Sequence, residues 1–253
     1  MKHKIAAQLY TVRELLEADF PGVLKEIKEM GYAAVELAGM HGHDPREIAS
    51  VLRELDLQVA GMHVSLESFR KELSRVLEEA EIFQTKNLIL PYLEEEDRTV
   101  ESYTAIKAEF NALAEELKNQ GYRICYHHHD FEFETKIEGK SALEYLLEPT
   151  QDNLILAELD VYWLEKSGKE ILPFLERYAN RIPNIHLKDM AKGKDKSFAE
   201  VGTGIIAFEP ILQWGEKNGV EWYVVEQDIC AGNPLDSLRT SIKYLHYLID
   251  QQN

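Results

Sequence analysis

The sequence predicts an α/β protein, a single (β/α)8 TIM barrel over residues 1–253, on three observations. Short apolar runs alternate with amphipathic stretches of helical period, as in repeated βα units around a parallel sheet. Glycine-marked joints lead straight from helix into strand. Polar residues gather where the predicted strands end, the face on which barrels of this kind carry their active sites. A length of 253 residues is the usual size of one such barrel.

Eight strands are predicted: Ile5 to Leu9, Ala33 to Leu37, Gln58 to His63, Asn87 to Pro91, Arg123 to Tyr126, Leu154 to Asp160, Ile185 to Lys188 and Trp222 to Glu226. Of the intervening helices, one presents the stripe Tyr103, Ile106, Phe110, Leu113 and Leu117. The last presents Leu235, Leu238, Ile242, Leu245 and Ile249, and both faces are expected to pack on the barrel. The segments EMGYAAVEL, NQGYRICYH and KNGVEWYVVEQ each close a helix on a glycine, Gly31, Gly121 or Gly219, suited to the left-handed position after a helix. A doubly wound sheet would place a glycine-rich phosphate turn after the first strand; this chain has QLYTVREL there.

Composition narrows the function. With 45% hydrophobic and 29% charged residues and no Pro, Gly or Ser tract, one globular domain is expected. A net charge of −17 repels phosphate backbones, which speaks against nucleic acid and anionic membranes as partners. The amino-terminal apolar stretch is broken by Gln8 and Arg13 and is too short for a signal segment or a span, so a cytoplasmic protein is expected. Cys125 and Cys230, both assigned to strands, read as buried free thiols. Association into a homo-oligomer is left open.

The strand ends carry Gln8, Glu36, His63, the run His127 to Asp130 with Glu132 beyond it, Asp160, His186, Lys188, Glu226 and Asp228. One ionisable residue at a strand end is usually a solvated terminus. Converging carboxylates are different, because they repel unless a cation neutralises them. Glu132, Asp160, His186 and Glu226 come from four successive strand ends and suit one divalent metal ion: Mn, Mg, Co, Zn or Fe.

The segments QLYTVRE, GYAAVELAG, YHHHDFEF, ELDVYW, IHLKD, GTGIIAF and VVEQD, in this order over nearly the whole chain, resemble the xylose-isomerase-like sugar phosphate isomerase/epimerase superfamily. They are most similar to its branch with a YHNHDFEF-type signature, from which His128 departs by standing in place of Asn. The resemblance implies one catalytic metal held by two glutamates, an aspartate and a histidine, at Glu132, Glu226, Asp160 and His186. It implies a sugar pocket lined by Glu36, His63, His129 and Lys188. The substrate class implied is a small ketose, keto-sugar or polyol, isomerised or epimerised through an enediolate; the alternative is dehydration of an inosose or lysis of a keto-glycoside.

Glu132 and Glu226 are the expected proton carriers, with Lys188 or His129 holding an oxygen. Trp163 is expected to offer a stacking face to a sugar, and Glu158 to share the face of Asp160 as a buried partner. In the run of three histidines, His127 and His129 should point one way and His128 the other. Lys188, Arg13 and Lys192 to Lys196 are the basic groups near the mouth, the last reading as a solvated loop. Two other classes are weighed: a DNA-repair endonuclease of this superfamily and a catalytically silent sugar-binding barrel. The endonuclease needs a histidine three residues after the aspartate ligand, where this chain has Trp163, and an Asp-x-His pair after His186, which is missing.

Overall fold

In the computed structural model, which describes residues 1–251, eight parallel strands close into a barrel. They are β1 (Ile5–Gln8), β2 (Ala34–Leu37), β3 (Gln58–His63), β4 (Asn87–Leu90), β5 (Arg123–His127), β6 (Leu156–Asp160), β7 (Asn184–Leu187) and β8 (Trp222–Val225). Their order round the barrel follows the sequence, and β8 closes on β1 with Ile5 opposite Tyr223 and Ala7 opposite Val225. One expectation is corrected. Cys230 is a loop residue, because the ladders of β8 to β1 and β7 stop at Val225 and the chain then leaves the sheet. Cys125 is buried in β5 as expected, Cys230 is only half-buried in its loop, and both thiols are free.

Ten helices are described: α1 (Arg13–Met30), α2 (Pro45–Glu54), α3 (Leu66–Lys71), α4 (Leu73–Ile82), α5 (Val100–Leu117), α6 (Ala142–Leu146), α7 (Val161–Lys166), α8 (Ile171–Glu176), α9 (Phe208–Lys217) and α10 (Pro234–Asp250). The apolar stripes of α5 and α10 join the core that fills the space between barrel and helices. Gly31, Gly121 and Gly219 have φ of 102°, 80° and 78°, the left-handed backbone that lets each helix break into the next strand. Among the described residues no helix is long and apolar enough to cross a membrane.

Barrels of this class fill their interior with branched apolar side chains. Here a polar column runs up the middle instead. Near the amino-terminal end Arg123 is paired with Glu221 and donates to Asn87 (2.7 Å), and Asn87 donates to Asn184 (3.3 Å). Asn184 then donates to Glu36 (2.9 Å) and Glu158 (3.1 Å), which meet His63 and His186 above. Small inward residues leave room for this column: Ala6, Ala34 and Ala60 cluster with Val224. Gly61 is required beside it, since a Cβ there would lie 2.4 Å from Ile89 Cδ1 and 3.0 Å from Glu36 Oε1.

Candidate active site

The carboxyl ends of the strands hold a cavity of ≈ 860 Å³. His63, His127, His129, Glu226, Asp228 and Tyr92 line its centre; Met40, Val64, Arg75 and Val76 line the side near α2 and α4. Local structure explains how each polar group arrives there. Asp160 ends β6 and caps α7, its Oδ1 accepting from Tyr162 N (2.8 Å) and Trp163 N (3.3 Å), which leaves Oδ2 for the site. Asp189, just after Lys188, accepts from the backbone N–H groups of Met190, Gly202, Gly204 and Ile206, so one carboxylate shapes the whole GTGIIAF loop.

The three histidines divide as alternation requires. His127 and His129 face the cavity, while the His128 Nε2 accepts from Asp160 N (3.2 Å) and its Nδ1 donates to the His129 carbonyl (2.8 Å). His128 therefore ties β5 to β6, and burial keeps its pKa down at about 4. Its place in the signature is structural.

Two groups of potential ligands share His186. In the first, Glu36, His63, Glu158 and His186, and in the second, His127, Asp160, His186 and Glu226, the donor atoms lie within 4.8 Å of one another. His186 bridges them, with Nε2 2.7 Å from Glu36 and Nδ1 2.9 Å from Glu226. Members of the first group satisfy one another, helped by Gln8, whose Nε2 donates to Glu36 (2.7 Å). In the second group Asp160 Oδ2 and His127 Nδ1 are buried without a hydrogen bond, each only in ion-pair range of a neighbour: Lys188 at 3.0 Å and Glu158 at 3.3 Å. Buried polar atoms short of hydrogen bonds are rare, and two in one group of potential ligands fit a bound cation.

Lys188 is fully buried, 3.0 Å from Asp160, 2.9 Å from Glu226 and 2.8 Å from Asp228. Burial opposes its charge, but these carboxylates hold its pKa well above the ordinary lysine value. Burial lifts Asp160 to about 6 against the pull of Lys188 and His186. Glu226 resists its burial and stays well below the usual carboxylate range, because Lys188 and His186 stabilise its charge. Burial would also lower His63, yet Glu158 and Glu36 raise it to about 9. His129 has no carboxylate partner, so burial and Lys188 keep it neutral, and its Nδ1 is left without a hydrogen bond.

Of the residues singled out in the sequence, the structure brings Asp160, His186, Glu226, Lys188, Glu36 and His63 together, with His129 on the cavity wall. Trp163 is buried behind that wall, its ring 5.0 Å from His129, with the Lys188 ammonium 5.4 Å from its centroid. Glu132 is not brought to either group. It sits in a short helical turn, Phe131–Phe133, where the alternation of β5 has ended, and its oxygens take the Tyr126 hydroxyl (2.9 Å) and His129 N (2.9 Å). Sequence reasoning passed over Asn87, Asn184 and Tyr92; the inward alternation of β4 and β7 was the signal for the two asparagines.

A family model described as xylose isomerase-like TIM barrel matches residues 24–248. The chain belongs to the xylose isomerase-like TIM barrel family. An inosose dehydratase of Clostridium perfringens (strain ATCC 13124) is 24% identical to this xylose isomerase-like barrel over 90% of each chain. A solved sugar phosphate isomerase/epimerase from Parabacteroides distasonis ATCC 8503 superposes with a TM-score of 0.79 at 21% identity, covering 96% of this chain and 98% of the other. The IOLI protein, solved with a zinc atom, superposes with a TM-score of 0.72 at 13% identity over 98% of each chain. These likenesses extend over nearly the whole chain.

Proposed function

We propose that this protein binds one divalent metal ion and moves a proton at the carbon beside the carbonyl of an unphosphorylated keto-sugar or inosose. The observation that carries the reading is the convergence of Asp160, His186 and Glu226, with Asp160 Oδ2 buried and met only by the Lys188 ammonium, beside a cavity that Glu226 lines and that is large enough for a sugar. When bound, the ion would supply Lewis-acid stabilisation of the negative charge that develops on substrate oxygens. Every other task falls to the chain. His129, neutral and on the cavity wall, accepts the carbon-bound proton. His63, also on the wall and kept cationic near neutrality, donates a proton to the opposite side. Lys188 holds Asp160 and Glu226 in place and fixes the sign of the field under the substrate.

Two arginines near the mouth are committed elsewhere than to a phosphate. Arg75 pairs with Glu72 (2.5 Å) and Glu79 (2.6 Å), and Arg13 donates to the carbonyls of Tyr10 and Asp228. This favours an uncharged substrate. Proton removal leads either to isomerisation or epimerisation, by return of the proton, or to dehydration, by loss of a β-hydroxyl. The inosose dehydratase relatives, matched over 90% of this chain and 89–90% of their own, favour dehydration.

The test is a panel of inososes and keto-sugars incubated in heavy water with the metal-loaded protein and followed by NMR and mass. Deuterium should enter beside the carbonyl, with loss of water for a dehydration substrate. His129→Gln should slow exchange by ~10²–10⁴-fold at unchanged metal content. A loaded protein that exchanges no member of the panel would overturn the reading.

A further inference from the structure

We infer that His127, and not Glu132, completes the metal-binding set with Asp160, His186 and Glu226, making it two imidazoles and two carboxylates. The inference rests on the proposed metal site and concerns which side chain β5 contributes to it.

Strand alternation separates the two candidates. In β5, Cys125 and His127 face the barrel axis, whereas Ile124 and Tyr126 belong to the apolar layer between strands and helices. His127 stands over the axis, its ring 4.5 Å from that of His186 and 5.7 Å from that of His63. Glu132 hydrogen-bonds the outward Tyr126, so its carboxylate lies on the helix side of the strand. Both of its oxygens are occupied there, one by the Tyr126 hydroxyl and the other by His129 N. His127 is the reverse case: buried, with one ring nitrogen within 4.8 Å of the donor atoms of Asp160, His186 and Glu226, and with an Nδ1 that makes no hydrogen bond and has only Glu158 in ion-pair range at 3.3 Å. A histidine retained for structure has both ring nitrogens in hydrogen bonds, as His128 does, whereas the His127 ring stands among potential ligands and makes none.

The exchange of an oxygen for a nitrogen donor changes what the site prefers. Two carboxylates and two imidazoles form a borderline set, suited to Zn, Co or Fe(II) over Mg or Mn, which favour all-oxygen surroundings. Glu132 becomes a positioning residue: it fixes the backbone of His129 and through it the imidazole on the cavity wall.

Metal content by elemental analysis and cobalt(II) titration followed in the visible spectrum test this on the full-length protein, with Asp160→Ala as the reference for a destroyed site. His127→Ala should weaken cobalt binding by about 100-fold or more, at or beyond the upper end of the ~10–100-fold typical of losing a supporting partner. Glu132→Gln should bind cobalt as the parent does. His127→Glu, which restores an oxygen donor at the same place, should keep one equivalent of metal while moving the preference from cobalt and zinc toward manganese; it decides the matter where the alanine variant does not fold. Loss of metal in Glu132→Gln with retention in His127→Ala, or an unchanged preference in His127→Glu, would overturn the inference while leaving the proposed function standing. Retention in Asp160→Ala would instead strike at the metal site itself.

Discussion

Glu132 is held by the Tyr126 hydroxyl and His129 N in the turn after β5. Burial raises its pKa to about 7, although the N–H of His129 and the hydroxyl of Tyr126 pull the other way. An unfolded glutamate titrates near 4.3. Because the folded value is the higher one, the native state holds the proton more tightly, and no penalty exists below about pH 4. The penalty grows as pH rises from about 4 to 7 and is complete above 7, where it amounts to roughly 3 kcal/mol for so buried a group. Glu132→Gln mimics the protonated form, so it should flatten this part of the stability profile between pH 4.5 and 8 in urea denaturation of the metal-free protein. A profile as steep as the parent's would show that another group is responsible.

At the scale of elements, the loops are set by single polar residues as firmly as the strands are set by apolar ones. Asp189 receives four backbone N–H groups, and Gly204 must be glycine because a Cβ would lie 2.2 Å from the Met190 carbonyl oxygen. Asp189→Ala strips those donors of their acceptor, each at about 1–3 kcal/mol if buried. We expect a loss of at least ~3 kcal/mol in stability and fast amide exchange over residues 200–206, read by denaturation and hydrogen exchange. Exchange confined to parental rates would mean the loop is held by something else. The strands themselves were legible because apolar runs and the joints at Gly31, Gly121 and Gly219 repeat, and the barrel formed where those signals put it. Asp160, His186 and Glu226 were legible at the mouth for the same reason, being within one residue of a strand end. Glu132 was not, since period-two reasoning ends with the strand at His127 and says nothing about the turn that follows. Nor was the polar column: Asn87 and Asn184 are ordinary residues in sequence, and only the closure of the barrel sets them in line with Glu36 and Glu158.

The whole molecule bears on the partner. Members of this superfamily that incise damaged DNA must hold a polyanion against the barrel mouth, where lysines and arginines replace its counterions. This chain carries 45 acidic and 28 basic residues, a net charge of −17, and its mouth is lined by Glu226, Asp228 and Glu79, with Arg75 already paired. The nuclease type also needs a histidine at position 163, and Trp163 there is buried against His129 and the Lys188 ammonium, so its replacement by a ligand would undo the packing behind the cavity wall. Long-range repulsion and local chemistry therefore point the same way. The expected outcome is no incision of abasic-site DNA above background with added zinc, and no retardation of that DNA in a gel at low salt, where electrostatic binding would be strongest. Incision that is abolished by Glu226→Ala would place the metal in the service of a phosphodiester and overturn the sugar assignment.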